Sequence, residues 1–132
     1  MENTVVWADI PVADLDRAMK FYGAVLQHEF VKVEGMDGIA LLAPEGEPGA
    51  MPEGPFPVSL DLAQTSETKP GYEGTTIYLN SFGEPEAMLE RAAAAGGKIL
   101  HPVKDMGQMV GFIGFFEDTE GNRIGVHKPP QM

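Results

Sequence analysis

Four side chains with acid–base capacity stand in stretches that otherwise read as strands. Asp9 interrupts the apolar run 5–11, Asp61 sits between Leu60 and Leu62, Tyr78 lies within 75–81, and His127 closes an alternating stretch that begins at Arg123. A carboxylate that takes a proton and a phenol or imidazole that gives one are the parts of general acid–base chemistry. Joined by Trp7, the single tryptophan, they also suit recognition of a small molecule with polar and apolar parts. Each has a structural alternative. Trp7 and Tyr78 can serve as packing aromatics, Asp9 and Asp61 can be tied up in structural hydrogen bonds, and His127 can be solvated near the chain end. His28 and His101 have no partner in the pattern and read as surface residues. There is no cysteine, so thiolate nucleophiles, thiolate metal sites and disulfides are excluded. No Gly-x-Ser-x-Gly, phosphate loop or dinucleotide fingerprint occurs.

The 132 residues suit a single domain, and 43% hydrophobic content is enough for an ordinary core. A net charge of −11 and a pI near 4.5, with no cluster of Lys or Arg, argue against nucleic acid and against an anionic membrane surface. The first residues show no basic region followed by an apolar stretch, and no run is long enough to span a bilayer. The expectation is a cytoplasmic protein.

The elements that must position these side chains follow from periodicity. Residues 5–11 read as a strand. Asp14 then caps a helix whose Leu15, Ala18, Met19, Tyr22 and Leu26 share one face. Strands follow at 30–33 and 39–43. The stretch 44–57 holds five of the eleven prolines and reads as a long loop, and 58–63 alternates as a fourth strand. The pattern then repeats. A strand at 75–81 precedes a helix that starts at Pro85, buries Met88, Leu89, Ala92 and Ala95, and ends at Gly96-Gly97. A strand at 98–103 and a loop at 104–109 lead to a hairpin, whose turn is Glu117-Asp118-Thr119-Glu120-Gly121-Asn122-Arg123. In it Gly121 supplies positive φ, and Asp and Asn bond the local backbone. The strand beyond it has an apolar face, Ile124 and Val126, and a polar one, Arg123, Gly125 and His127.

Both halves read strand, helix, strand, strand, strand, and they register without gaps at an offset of 69, which sets Ile10 on Leu79, Ala18 on Ala87 and Met19 on Met88. This predicts an α+β chain of two βαβββ modules, about 1–66 and 67–132. A ferredoxin-like α+β domain is the alternative.

The segment Ile10-Pro11-Val12-Ala13-Asp14-Leu15 with Phe21-Tyr22, the Ala95-Gly96-Gly97-Lys98 helix exit, and the 117–125 turn and strand resemble the vicinal oxygen chelate superfamily. That group includes glyoxalases, bleomycin-resistance proteins and extradiol dioxygenases. The resemblance implies an open, cup-like mixed sheet that holds a ligand, and a homodimer. Metal-dependent members carry His or Glu on the first strand of each module and Glu on the last. The matching positions here are Trp7, Asp61, Thr76 and Gly125, of which only Asp61 is a strong ligand type. No metal or other cofactor is therefore expected at that position; a shifted site would use Asp9 and His127. Alternation adds Asp9, Tyr78 and His127 to the cup face, with Gly125 opening space beside Trp7. The expected function is binding of an unknown small molecule without the usual metal. The alternatives are a lyase or isomerase with Asp9 or Asp61 as base and Tyr78 or His127 as acid, and a non-catalytic regulatory or interaction domain. Asp9 and His127 are the candidate catalytic pair, expected to reach each other or one common ligand.

Overall fold

The computed structural model of the chain describes residues 4–43 and 58–130. The expected loop at 44–57 lies outside the described residues. The elements run β1 (Trp7–Pro11), α1 (Leu15–Leu26), β2 (Phe30–Lys32), β3 (Ile39–Leu42), β4 (Ser59–Ala63), β5 (Tyr78–Asn80), α2 (Pro85–Ala94), β6 (Lys98–Asp105), β7 (Phe112–Glu117) and β8 (Arg123–Lys128). They form two four-stranded mixed sheets, ordered β1-β4-β3-β2 and β5-β8-β7-β6. In each, the first strand runs parallel to the last and the other neighbours are antiparallel. The two sheets thus share one topology, and the chain is α+β with two βαβββ modules. No helix among the described residues is long and apolar enough to cross a membrane.

Each helix covers one face of its sheet. Asp14 caps α1 by accepting from the Arg17 amide, a contact worth about 1 kcal/mol. Leu15, Ala18, Phe21, Tyr22 and Val25 are buried along the helix, while Met19 and Leu26 pack at its margin. In α2, Pro85 occupies the first turn, where a missing N–H costs nothing, and Met88, Leu89 and Ala92 are buried. The buried strand residues Ile10 and Leu62 of the first sheet match Leu79 and Val126 of the second, each a parallel register pair. One apolar cluster takes in both sets. Phe21 crosses between the modules, with its ring 5.8 Å from that of Phe116. A Cβ at Gly97 would come within 2.9 Å of the Phe21 ring and 2.6 Å of the Glu117 carbonyl oxygen, so the helix exit must be glycine there.

Strand ends differ from the sequence reading for reasons visible in the pairing. The strand expected at 75–81 is only Tyr78–Asn80. Its neighbour β8 begins at Arg123, which the parallel register would set opposite Thr76, but the pairing reaches back only to the Gly125 amide donating to the Ile77 carbonyl. Asn122, just before β8, donates to the Pro11 carbonyl and accepts from the Gly71 amide. Thr76 lies outside the strand. Similarly β1 starts at Trp7, opposite Ser59, where its partner β4 starts. By contrast β6 runs on to Asp105, beyond the expected 103, because Phe112 pairs with it there.

The modules are joined by the 117–123 turn. Asp118 accepts from the Glu120 and Asn122 amides at 2.8 Å and from the Tyr22 hydroxyl at 2.5 Å. Gly121 takes φ +92. Glu120 reaches the first helix: Oε1 accepts from the Ala13 and Asp14 amides at 2.9 and 2.8 Å, and Oε2 accepts from Arg17 Nε at 2.8 Å. A carboxylate at a helix N-terminus meets unpaired amides and the positive end of the helix dipole. Burial works to raise the Glu120 carboxyl, but Arg17, Thr119 and the two amides outweigh it and hold it at about 2.

Because that folded value lies below the ordinary 4.5, the stabilisation is complete above the ordinary value and is lost as pH falls toward 2. Glu120→Gln should therefore cost on the order of 3 kcal/mol at neutral pH and flatten the loss of stability across that acid window. Urea denaturation at a series of pH values measures both effects. An unchanged acid limb in the variant would contradict this assignment.

Candidate functional site

The helix-free face of the first sheet carries the odd positions of β1. Parallel register sets Trp7 opposite Ser59 and Asp9 opposite Asp61, so these side chains share a face, with Ile10 and Leu62 on the other. The Trp7 indole N–H donates to Asp9 Oδ1 at 2.7 Å, and Trp7 is 51% exposed. Asp61 is 1% exposed, and among the described residues neither of its carboxylate oxygens has a hydrogen-bond partner. Burial first, and then the neighbouring Asp9 charge, raise the Asp61 carboxyl above the usual carboxylate range. An unpartnered buried carboxylate is costly, and a fold retains one only where something outweighs the cost.

The same face of the second sheet is aromatic. Tyr78 stands where the repeat sets it against Asp9, and its register partner Gly125 stands against Asp61. Gly125 opens no space beside Trp7, contrary to the sequence reading. The Tyr78 ring lies over it, and a Cβ at Gly125 would meet Tyr78 Cδ2 at 2.3 Å. Phe115 meets the Tyr78 ring edge-on at 5.7 Å and holds the Arg123 guanidinium 3.8 Å above its own ring. The sequence reading missed Phe115 and this use of Arg123. The run Gly111-Phe112-Ile113-Gly114-Phe115-Phe116 is apolar on both faces, so alternation could not say which aromatic faces out.

His127 lies within β8, opposite Ile113 and beside Asn80, and its Nε2 bonds the Val110 carbonyl at 2.6 Å. The structure therefore brings Trp7, Asp9 and Asp61 together on one sheet and Tyr78, Gly125 and His127 on the other. Asp9 and His127 form no hydrogen bond or ion pair with each other among the described residues; each has the separate partner given above. Of the two histidines read as surface, His101 is exposed with its ring edge-on to Phe115, whereas His28 is half-buried and bonds the Ala43 carbonyl at 2.8 Å.

Two concavities border these elements. A groove of about 420 Å³ follows the free edge of β1 and is lined by Trp7, Asp9, Lys69, Glu73 and Arg123 among others. A shallower one of about 430 Å³ lies between the end of α1 and β2, beside Gly23 and His28, and touches none of the open-face residues.

The residue pattern matches one family. The Glyoxalase/Bleomycin resistance protein/Dioxygenase superfamily profile covers residues 4–126. The chain belongs to this superfamily. Similar solved structures include a glyoxalase-related enzyme from Fulvimarina pelagi, with a TM-score of 0.67 and 19% identity over 95% of this chain and 87% of that one. A superfamily member from Sphaerobacter thermophilus DSM 20745 has a TM-score of 0.65 and 21% identity over 95% and 96%. TnmS3, an antibiotic binding protein from Streptomyces sp. CB03234, has a TM-score of 0.62 and 21% identity over 96% of both chains. No functionally curated protein matches the chain.

The superfamily's metal position does not fit these residues. Trp7, Asp61, Thr76 and Gly125 supply one carboxylate and one hydroxyl, and the Tyr78 ring fills the place of a ligand side chain at Gly125. Among the described residues no three His, Asp or Glu side chains converge.

Gly125→Ala should displace the Tyr78 ring and cost about 1–3 kcal/mol by overpacking. Adding Tyr78→Ala should recover most of that loss, because the clash is with that ring. Chemical denaturation of the two single variants and the double variant measures the coupling, and strictly additive losses would contradict the contact.

Proposed function

We propose that this superfamily member binds a small molecule with a flat apolar part on the open sheet faces, without the usual metal, and acts as a binding or sequestering protein. One observation carries the reading. The only tryptophan of the chain is half exposed on the helix-free face, with its indole N–H fixed on Asp9, instead of lying in the core. A held, exposed indole is a stacking surface, since ordering it on binding costs little further entropy. Tyr78, 49% exposed over Gly125, supports the same role from the second sheet. TnmS3 is described as an antibiotic binding protein, which supports a binding role on this fold. The proposal includes a homodimer and a cytoplasmic location.

A lyase or isomerase is the second reading, favoured by the raised Asp61 carboxyl beside Asp9. Turnover of any small carbonyl or hydroxy compound that is lost in Asp9→Asn would select it. A regulatory or interaction domain with an unused cup would bind no small molecule at all.

A thermal-shift screen of aromatic metabolites and antibiotics tests the binding reading. At about 100 times its Kd a ligand should stabilise the protein by roughly 2.7 kcal/mol. Trp7→Ala should weaken that ligand by about tenfold. Elemental analysis of the purified protein should find no stoichiometric divalent ion. Hits unaffected by Trp7→Ala, or no hit across a broad screen, would refute the proposal.

A further inference from the structure

The first sheet holds an electrostatic imbalance that its own side chains do not resolve. Asp9 and Asp61 are direct register partners on one face. Asp61 is buried with both oxygens unpartnered among the described residues. On β3 the residue opposite Asp61 is Leu41, so Asp9 is the only charged group that the flanking strands turn toward it. The indole of Trp7 occupies Asp9 Oδ1, and Oδ2 has no hydrogen-bond partner among the described residues. Three acceptor atoms, Oδ2 of Asp9 and both oxygens of Asp61, therefore have no protein donor among the described residues.

We propose that this carboxylate pair, with the Trp7 ring beside it, is a subsite for the primary ammonium head of an aromatic or otherwise flat amine. The inference rests on the small-molecule reading above and names the chemical class of the ligand. A primary ammonium has three N–H donors on a compact charge, which matches three acceptor atoms. A guanidinium is a wide planar fork and needs an open bidentate face, which the buried Asp61 does not offer. A divalent ion such as Mg²⁺ or Ca²⁺ asks for six or more oxygens in all, and two carboxylates with no third His, Asp or Glu converging on them among the described residues are a poor start. Asp9 is exposed, so the head group enters from its side, and the groove of about 420 Å³ that both Trp7 and Asp9 line receives the rest of the molecule. The net charge of −11 draws cations toward the protein generally, and the indole face favours one that carries an apolar body.

The pair also predicts a proton linkage. In the free protein burial favours protonated Asp61, with Asp9 adding to the effect. A bound ammonium favours the ionised form, so binding displaces a proton and strengthens as pH rises through the acid range.

The test is isothermal titration calorimetry with phenethylamine, 2-phenylethanol and phenethyltrimethylammonium. Phenethylamine should bind roughly tenfold to a hundredfold more tightly than the alcohol. That advantage should vanish in Asp61→Asn and shrink in Asp9→Asn, and the pH dependence of amine binding should be lost in Asp61→Asn. The latter removes a buried ionisable group with no partner among the described residues and should fold at least as stably as wild type; Asp9→Asn removes the exposed charge of the pair, keeps an Oδ1 acceptor for the Trp7 indole, and tests the pair independently. Equal binding of amine and alcohol, both dependent on Trp7, would overturn the ammonium subsite and leave the aromatic site standing. Equal binding of the trimethylated cation, which has no N–H donor, would reduce the effect to general charge attraction and also overturn it. Stoichiometric displacement of the amine by Mn²⁺ would show a metal site instead. Absence of binding by all three compounds, in a protein that binds no aromatic molecule, would remove both readings.

Discussion

The seating of Glu120 on the start of α1 is the interaction on which the rest of the molecule depends. It is a contact between residues more than one hundred apart in sequence, and it closes the second module onto the first. Glu120 satisfies the amides of the cap residue Asp14 and of Ala13 before it, and binds Arg17 as well, while Asp118 gathers the turn and takes the Tyr22 hydroxyl. A carboxylate with its side chain fully covered is stabilising only when every such partner is in place. Here the partners come from two backbone amides, a guanidinium and a neighbouring hydroxyl, so the desolvation cost is met and the turn geometry is fixed.

That turn also sets both open faces. Asn122, held by Asp118, donates to the Pro11 carbonyl and so pins the end of β1, two residues beyond Asp9. Directly after it, Arg123 begins β8, and the register that follows places Gly125 beneath Tyr78 and Phe115 beneath Arg123. The carboxylate–indole group on one sheet and the aromatic group on the other are thus positioned from a single seven-residue turn. The shared Phe21–Phe116–Gly97 contact makes the joint rigid, because glycine at the helix exit lets the ring approach the backbone.

The elements were legible where one physical signal dominates. Helical periodicity with Asp14 and Pro85 at the N-termini placed α1 and α2, and the internal repeat gave the order of strands before any pairing was known. Residue alternation correctly put Trp7, Asp9 and Asp61 on one face. What the sequence could not show depends on contacts distant along the chain. Nothing local marks Glu120 as the partner of Ala13, Asp14 and Arg17, and it read as one more turn residue. Nothing in residues 75–77 marks the late start of β5, and Phe115 was hidden in a run apolar on both faces. The ring of Tyr78 over Gly125 is a cross-strand event, visible only once the register is fixed.

The central claim is that the helix-free face around Trp7, and not the concavity by His28, receives the ligand. Because the chain has one tryptophan, a proton–nitrogen correlation spectrum of labelled protein contains one indole N–H signal, and that N–H is bonded to Asp9. Titration with 2-phenylethanol should move this signal together with the amides of Asp9, Asp61, Tyr78 and Gly125, and leave those of Gly23 and His28 in place. An indole signal that stays fixed while Gly23 and His28 shift would contradict the account.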